Sequence, residues 1–349
     1  MGTGDERARF VNREAEPGYA GLGTFCKSAL ALRPEELEGA DVAILGAPLD
    51  EGVANRPGAR FGPRAIRLAD NIPWSPPHRP NLALGIDPFE HLRVVDYGDA
   101  ECVPASLEAS HRQVRERLDE VLAAGCMPVV LGGDHSVAHP VIAALAEHHG
   151  QGKLGVIQFD AHADTGDAPF DVALGHGTPM RVAVESGAVR GEHFLQYGLR
   201  GYWPDPPEWD WMREVGMRWM TMDDVVERGF GASVETLIAT AATDLPDAIH
   251  LVIDIDVLDP AFAPGTGTPE PGGLSARELL YAVRQICSRL PVRSLEVVEV
   301  SPPYDPSGIT ALAAHRCVLE ALSGIALRRV GREARPQRPG IPFHDAAGA

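Results

Sequence analysis

Short apolar runs rich in β-branched residues punctuate the chain at positions 42–46, 92–96, 128–132, 154–159, 193–198, 217–220, 249–254 and 294–300. Amphipathic stretches separate them at 106–124, 137–149, 233–242, 276–289 and 311–327. Continuously apolar strands alternating with helices imply a parallel sheet covered on both faces. No internal repeat or low-complexity linker interrupts the middle of the chain, so one domain of roughly eight strands is the simplest account. Within a single domain spanning 1–349 the core runs from about 41 to 327. The first ~15 residues and the tail from about Arg332 are polar or rich in Pro and Gly, and are expected to be mobile.

Open parallel sheets bind ligands beyond the carboxyl ends of their strands. The residues immediately beyond each apolar run therefore matter most. Gly132-Gly133-Asp134-His135-Ser136 comes after the third run, Asp160-Ala161-His162-Ala163-Asp164 after the fourth and Asp254-Ile255-Asp256 after the seventh, while Glu299 closes the eighth. Acids and histidines are thus expected on one rim of the sheet. In extended backbone, side chains at i, i+2 and i+4 point the same way, which aligns Asp160, His162 and Asp164, and likewise Asp254 with Asp256. A strand-end aspartate can simply cap the next helix. Two separate period-two motifs together with His135 weigh against that for the whole set. Carboxylates buried together must be neutralised or bind cations. Four Asp and two His exceed what one ion needs and suit a pair. Mostly oxygen donors with some imidazole favour Mn²⁺ over a structural zinc, with Ni²⁺ the alternative.

Composition narrows the partners. The chain has 349 residues, with 31 Lys+Arg against 49 Asp+Glu, a formal net charge of −18. That acid excess argues against nucleic acid or an anionic membrane as partner and favours a small cationic substrate. With 44% hydrophobic and 23% charged residues, global disorder is excluded. The five cysteines (Cys26, Cys102, Cys126, Cys287 and Cys317) are scattered and form no C-x-x-C pair, as in ordinary cytosolic usage. The first 13 residues contain no apolar signal region, and no apolar run approaches the length of a membrane-spanning helix. A cytoplasmic protein is expected.

The three metal-type motifs, together with Asn55-Arg56-Pro57-Gly58-Ala59-Arg60-Phe61-Gly62-Pro63, His176-Gly177-Thr178-Pro179, the run from Ile253 to Pro269 and Glu296-Val297-Val298-Glu299-Val300-Ser301-Pro302, resemble the signature blocks of the ureohydrolases. This is the arginase/agmatinase family of binuclear manganese enzymes. The resemblance covers about 41–327 and is nearest to agmatinase-type members. It implies a three-layer α/β/α sandwich around an eight-stranded parallel sheet, two Mn²⁺ per chain, and a homotrimer or homohexamer. It also implies His135 and Asp164 on one ion, His162 and Asp256 on the other, and Asp160 and Asp254 bridging. All six positions are filled, as in a working subunit. His176 would transfer a proton to the leaving amine and Glu299 would pair with the guanidinium through a two-oxygen fork, with Asp164 completing the catalytic set. Arg56 and Arg60 stay outside that set, as residues that order the first loop or bridge subunits.

The implied reaction hydrolyses a guanidine C–N bond to urea and an amine. Arginine-specific sites hold an α-amino acid head with Ser and Asn residues ahead of the catalytic histidine. Here that stretch is Pro169-Phe170-Asp171-Val172-Ala173-Leu174-Gly175, which disfavours arginine and leaves Asp171 as an acid near a substrate tail. Agmatine fits the acidic chain best. The apolar Val172-Ala173-Leu174 departs from the usual agmatinase pattern and keeps guanidinobutyrate, free guanidine and alkylated guanidines or biguanides open. Trp203, with Tyr202, Trp209 and Trp211 nearby, forms either a substrate wall or a self-packed loop. A single-zinc deacetylase of related fold and a non-catalytic scaffold subunit are the rival classes.

Overall fold

Nine parallel strands line up in one sheet in the order β1-β3-β2-β4-β9-β8-β5-β6-β7. They are β1 (Ala29–Leu30), β2 (Val42–Ala47), β3 (Val94–Asp99), β4 (Met127–Gly132), β5 (Gly155–Phe159), β6 (Phe194–Leu199), β7 (Arg218–Thr221), β8 (Ile249–Asp254) and β9 (Val292–Val298). The structure is a computed structural model and describes residues 19–70, 80–168 and 172–331. The ends expected to be mobile, and Asp171, lie outside the described residues. Eight of the nine strands fall on the eight apolar runs. The ninth, β1, is a two-residue, half-buried edge strand paired with β3. Pairing rather than burial creates it, so it leaves no hydrophobic pattern to read.

Alternate residues of the strands feed two separate cores. Val42, Ile44, Val129, Leu131, Ile157 and Phe159 pack on one face. Ala43, Leu45, Val130 and Val156 pack on the other. The first face is covered by α1 (Gly62–Leu68), α6 (Met222–Arg228), α7 (Phe230–Asp244), α8 (Ala276–Arg289) and α9 (Ile309–Arg329), and the second by α2 (Leu107–Ala123), α3 (Ala138–His149), α4 (Pro179–Glu185) and α5 (Pro206–Glu214). The three-layer sandwich results directly from this period-two division.

The helices start where capping chemistry permits. At α8, Ser275 Oγ accepts from Glu278 N while the Glu278 carboxylate accepts from Ser275 N at 2.8 Å, a reciprocal cap that satisfies two orphan donors. α9 corrects one expectation. Its 21 residues are long and apolar enough to cross a bilayer by length and composition. Yet 72% of its apolar window is buried inside the protein, against α8 and the sheet.

The strand order carries the functional consequence. After β4 the chain skips two places to lay down β5, and only its last strands, β8 and β9, fill the gap. The four central strands β4, β9, β8 and β5 therefore end side by side. Their registers set Leu131 beside Val297, Asp254 beside Val298 and Phe159 beside Ile253. The residues beyond these positions meet at a topological switch point.

Candidate active site

Three of the four central strand ends turn their first acid inward by the same local device. Asp160 Oδ1 accepts from His162 N at 2.7 Å, Asp254 Oδ1 from Asp256 N at 2.9 Å, and Asp134 Oδ1 from Ser136 N at 2.9 Å. An aspartate that bonds a backbone N–H two residues on pins one oxygen and aims the other. For Asp134 the second oxygen accepts from Gly52 N at 2.7 Å, so this residue ties the β2 loop to the β4 loop. Asp160 Oδ2 is steadied by Gln158 Nε2 at 2.7 Å, and Asp256 Oδ1 accepts from Ala161 N at 3.1 Å. Gly133 lets the β4 loop pass against Leu49, whose carbonyl a Cβ would overlap. Asp164 and Glu299 are both held at positive φ, 53° and 63°, in backbone that side chains rarely adopt. Such strain persists where the surrounding fold over-determines it.

The expected ligands come together. His135 Nδ1 lies 2.6 Å from Asp164 Oδ2 and 3.3 Å from both Asp160 Oδ2 and Asp254 Oδ2. These four residues form one group of donors within 4.8 Å of one another, and Asp160, His162 and Asp256 form a second. Asp160 belongs to both groups, whereas Asp254 falls in the first alone. His162 Nδ1 lies 3.1 Å from Asp256 Oδ2.

Their electrostatics call for positive charge. Burial, then the neighbouring Asp164 and Asp256 charges, push Asp160 up to about 7. Burial and the same kind of repulsion hold Asp254 well above the usual carboxylate range. Burial resists the charging of His162, but Asp256 raises it to about 10. Burial also opposes the depression of Asp256, which His162 nevertheless holds below the carboxylate range. Without added positive charge the cluster must borrow protons. Both ring nitrogens of His135 are buried without a properly directed hydrogen bond, although three carboxylates surround Nδ1. Donor atoms gathered this closely from three strand ends are arranged as ligands. The donor set fits two divalent cations that prefer oxygen and imidazole.

Glu299 and His176 sit beside this cluster and interlock. Glu299 Oε1 accepts from His135 N at 2.8 Å and pairs with His176 Nδ1 at 2.9 Å. Its Oε2 is buried without a partner. With one oxygen engaged inside the protein, Glu299 has only the other left, so the two-oxygen fork expected from the resemblance is not preformed. His176 Nε2 lies 3.0 Å from Ala54 N, a bond that requires the neutral ring. Burial disfavours the charged ring, but Glu299 raises His176 to about 9, so the backbone contact and the carboxylate compete for its protonation state.

Beyond the cluster opens a cavity of about 350 Å³, lined by His162, Asp164, Asp254 and His176 and walled by Glu51, Val53, Ala54, Val172, Trp203 and Thr268. Of the loop aromatics, Trp203 faces the cavity, with its ring 6.3 Å from that of His162. Trp209 packs on Trp219, Trp211 takes Arg181 over its ring at 4.2 Å, and Tyr202 is fully exposed. Arg60 pairs with Asp50 and Glu51, and Arg56 lies over Tyr304, so both order the first loop. No lysine or arginine lines the cavity among the described residues. Glu51, Val53 and Ala54 do not stand out in the sequence. They lie past the carboxyl end of β2, and the rule that found the other strand ends applies to them as well.

A family profile described as Arginase family matches residues 40–324. The chain is 39% identical to the mitochondrial agmatinase of Gallus gallus over 288 residues, which cover 82% of this chain and 81% of that protein. It is also 39% identical to the mitochondrial guanidino acid hydrolase of Homo sapiens over 289 residues, covering 82% and 79%. Among solved structures, proclavaminate amidino hydrolase from Streptomyces clavuligerus superimposes with a TM-score of 0.80 at 35% identity, covering 90% of this chain and all of that one. Together with the converging ligand groups, these likenesses establish that the chain belongs to the arginase (ureohydrolase) family and is a hydrolase of guanidino C–N bonds.

Proposed function

We propose that the protein releases urea from a small guanidine compound whose tail is cationic or neutral, with agmatine as the first candidate. The observation that carries this reading is the cavity wall. It contributes the Glu51 carboxylate, several apolar groups and, among the described residues, no cation. Glu51 is itself paired with Arg60 at 3.2 Å, so the wall offers a carboxylate tail no lining cation and offers an amine tail a carboxylate already partly neutralised. Its volume of about 350 Å³ lies at the small end of ligand sites.

His135, Asp160, Asp164 and Asp254 would hold one Mn²⁺, and Asp160, His162 and Asp256 the other, with Ni²⁺ the alternative occupant. When bound, two such ions supply a nucleophile at neutral pH by acidifying water, and offset the charge that develops during hydrolysis. The chain's own residues do the rest. Glu299 offers Oε2 to one N–H of the guanidinium and orients its plane. His176, held by Glu299 at Nδ1, presents Nε2 beside the cavity, where breaking the contact with Ala54 N frees the lone pair to take up a proton and then pass that proton to the departing amine. Trp203 and Val172 cover the tail and exclude water. A second reading, an alkylated guanidine or biguanide, is favoured by the apolar Val53, Ala54, Val172 and Trp203.

The test is urea release from agmatine, 4-guanidinobutyrate, arginine, free guanidine and a dimethylbiguanide, with Mn²⁺ and with Ni²⁺. Agmatine should exceed guanidinobutyrate in kcat/KM by at least about tenfold, equivalent to about 1.4 kcal/mol of differential transition-state binding. If guanidinobutyrate or arginine is the best substrate, the assignment of the wall is wrong.

A further inference from the structure

Away from the cavity, a second set of soft and hard donors is buried between the N-terminal segment and the last helix. Cys26, His315 and Asp70 each present a donor atom within 4.8 Å of the others. Cys26 stands in a short turn ahead of β1, His315 in α9, and Asp70 two residues past the end of α1. Cys26 and His315 are almost wholly buried and Asp70 is half-buried. None of the three takes part in the hydrolytic site.

The histidine is set up as a ligand. Its Nδ1 lies 2.8 Å from the Ile66 carbonyl oxygen, which can only accept, so Nδ1 carries the proton and Nε2 keeps its lone pair. A ring whose far nitrogen donates to a backbone carbonyl is the usual support of a metal-binding imidazole. Nε2 faces Cys26 Sγ at 3.5 Å. Zinc bonded tetrahedrally at about 2.3 Å to sulfur and about 2.0 Å to nitrogen separates those donors by about 3.5 Å. The Phe25 ring packs on His315 with centroids 4.5 Å apart, and Phe25 N donates to Asp96 Oδ2 at 2.7 Å, which anchors the turn. Cys26 and Lys27 both adopt left-handed backbone, φ 47° and 59°.

We infer that Cys26, Asp70 and His315 form a separate binding site for one zinc-class divalent ion, which fastens the N-terminal turn to α1 and α9. Thiolate and carboxylate together cancel the charge of the ion, and water fills the fourth position that three donors leave open, so the occupied site is neutral. Sulfur in the donor set separates this site from the oxygen-rich catalytic pair and selects a softer ion.

Cobalt tests this without reference to activity. Titrated into the manganese-loaded enzyme, Co²⁺ should produce a near-ultraviolet thiolate-to-cobalt charge-transfer band, which the sulfur-free catalytic cluster cannot give. The band should reach one equivalent per chain and persist in Cys102→Ser. It should vanish in Cys26→Ser while urea release persists, and in Asp70→Asn it should require at least about tenfold more cobalt. No band in the unmodified enzyme, a band that survives Cys26→Ser, or unchanged affinity in Asp70→Asn each overturns the site. Where Cys26→Ser fails to fold, the Asp70→Asn titration decides.

Discussion

Asp96, within β3, and Asp160, just past β5, are both almost wholly buried carboxylates of one sheet, yet only Asp96 has its counter-charge built into the chain. Arg67 meets Asp96 through Nε to Oδ2 at 2.8 Å and Nη2 to Oδ1 at 3.0 Å, and Gly98 N donates to Oδ1 at 3.0 Å. This planar fork closes the site electrically. Asp160 instead faces the Asp164, Asp254 and Asp256 carboxylates, and its nearest positive candidates are histidines that must first take up protons. The first arrangement is finished when the chain folds. The second is finished only by cations from outside.

Asp254→Ala should break the second arrangement most severely, because it removes a carboxylate from the group around His135. Urea release should fall at least about a thousandfold, the loss of several kcal/mol of stabilisation, while the metal-free Tm holds or rises. Activity retained within tenfold would sink the metal assignment. Arg67→Met should do the reverse. Leaving Asp96 buried and unpaired costs about 3–5 kcal/mol, read as a lower denaturation midpoint, while the folded fraction keeps its metal affinity. An equal loss of metal binding would show that the two regions are not independent.

A smaller effect distinguishes the two regions by pH. Burial and its acidic neighbours raise Asp160 to about 7, so its ionisation in the folded, metal-free protein opposes folding increasingly as pH climbs from the ordinary carboxylate range to 7. Burial resists, but Asp256 and Glu299 raise His162 and His176 to about 10 and about 9, so their stabilisation is complete below the unfolded value near 6.5 and is lost as pH rises through 9 to 10. Both contributions have the same sign. The metal-free Tm should fall between pH 6.5 and 9, and metal loading should flatten that slope; calorimetry showing a metal-free Tm that climbs over this window contradicts the cluster's electrostatics. The smallest expected change is in Glu51→Gln, half-screened at the cavity wall. Its agmatine-to-guanidinobutyrate preference should drop about three- to tenfold with kcat for agmatine nearly unchanged.

Much of the site is readable from short-range pattern. The alternation Asp160-Ala161-His162-Ala163-Asp164 is local, and the fold preserves its aim because Asp160 is pinned by a backbone N–H two residues away. Seven of the eight apolar runs become strands whose residues are largely buried on both faces, which composition alone reports; the eighth becomes β7, half-buried at the sheet edge. The features that escape depend on distance along the chain. Glu299 has one oxygen occupied because His135 N arrives from 164 positions away, and no spacing near either residue announces it. Trp203 can be sorted from Trp209 and Trp211 only once Trp219 and Arg181 are seen to take the latter two. Glu51 follows Asp50 after β2 without the alternating repeat that marks the other strand ends.

The placement of β8 and β9 between β4 and β5 also bears on how the protein is made. A ribosome delivers β4 and β5 long before the two strands that separate them. Until residue 298 has emerged, the nascent chain holds two partial sheets with open apolar edges, and His135 has no route to Asp160. Such intermediates invite mispairing and aggregation. β9 is the strand that pairs β4 with β8, so a product ending before it lacks the link that brings His135 to the other ligands.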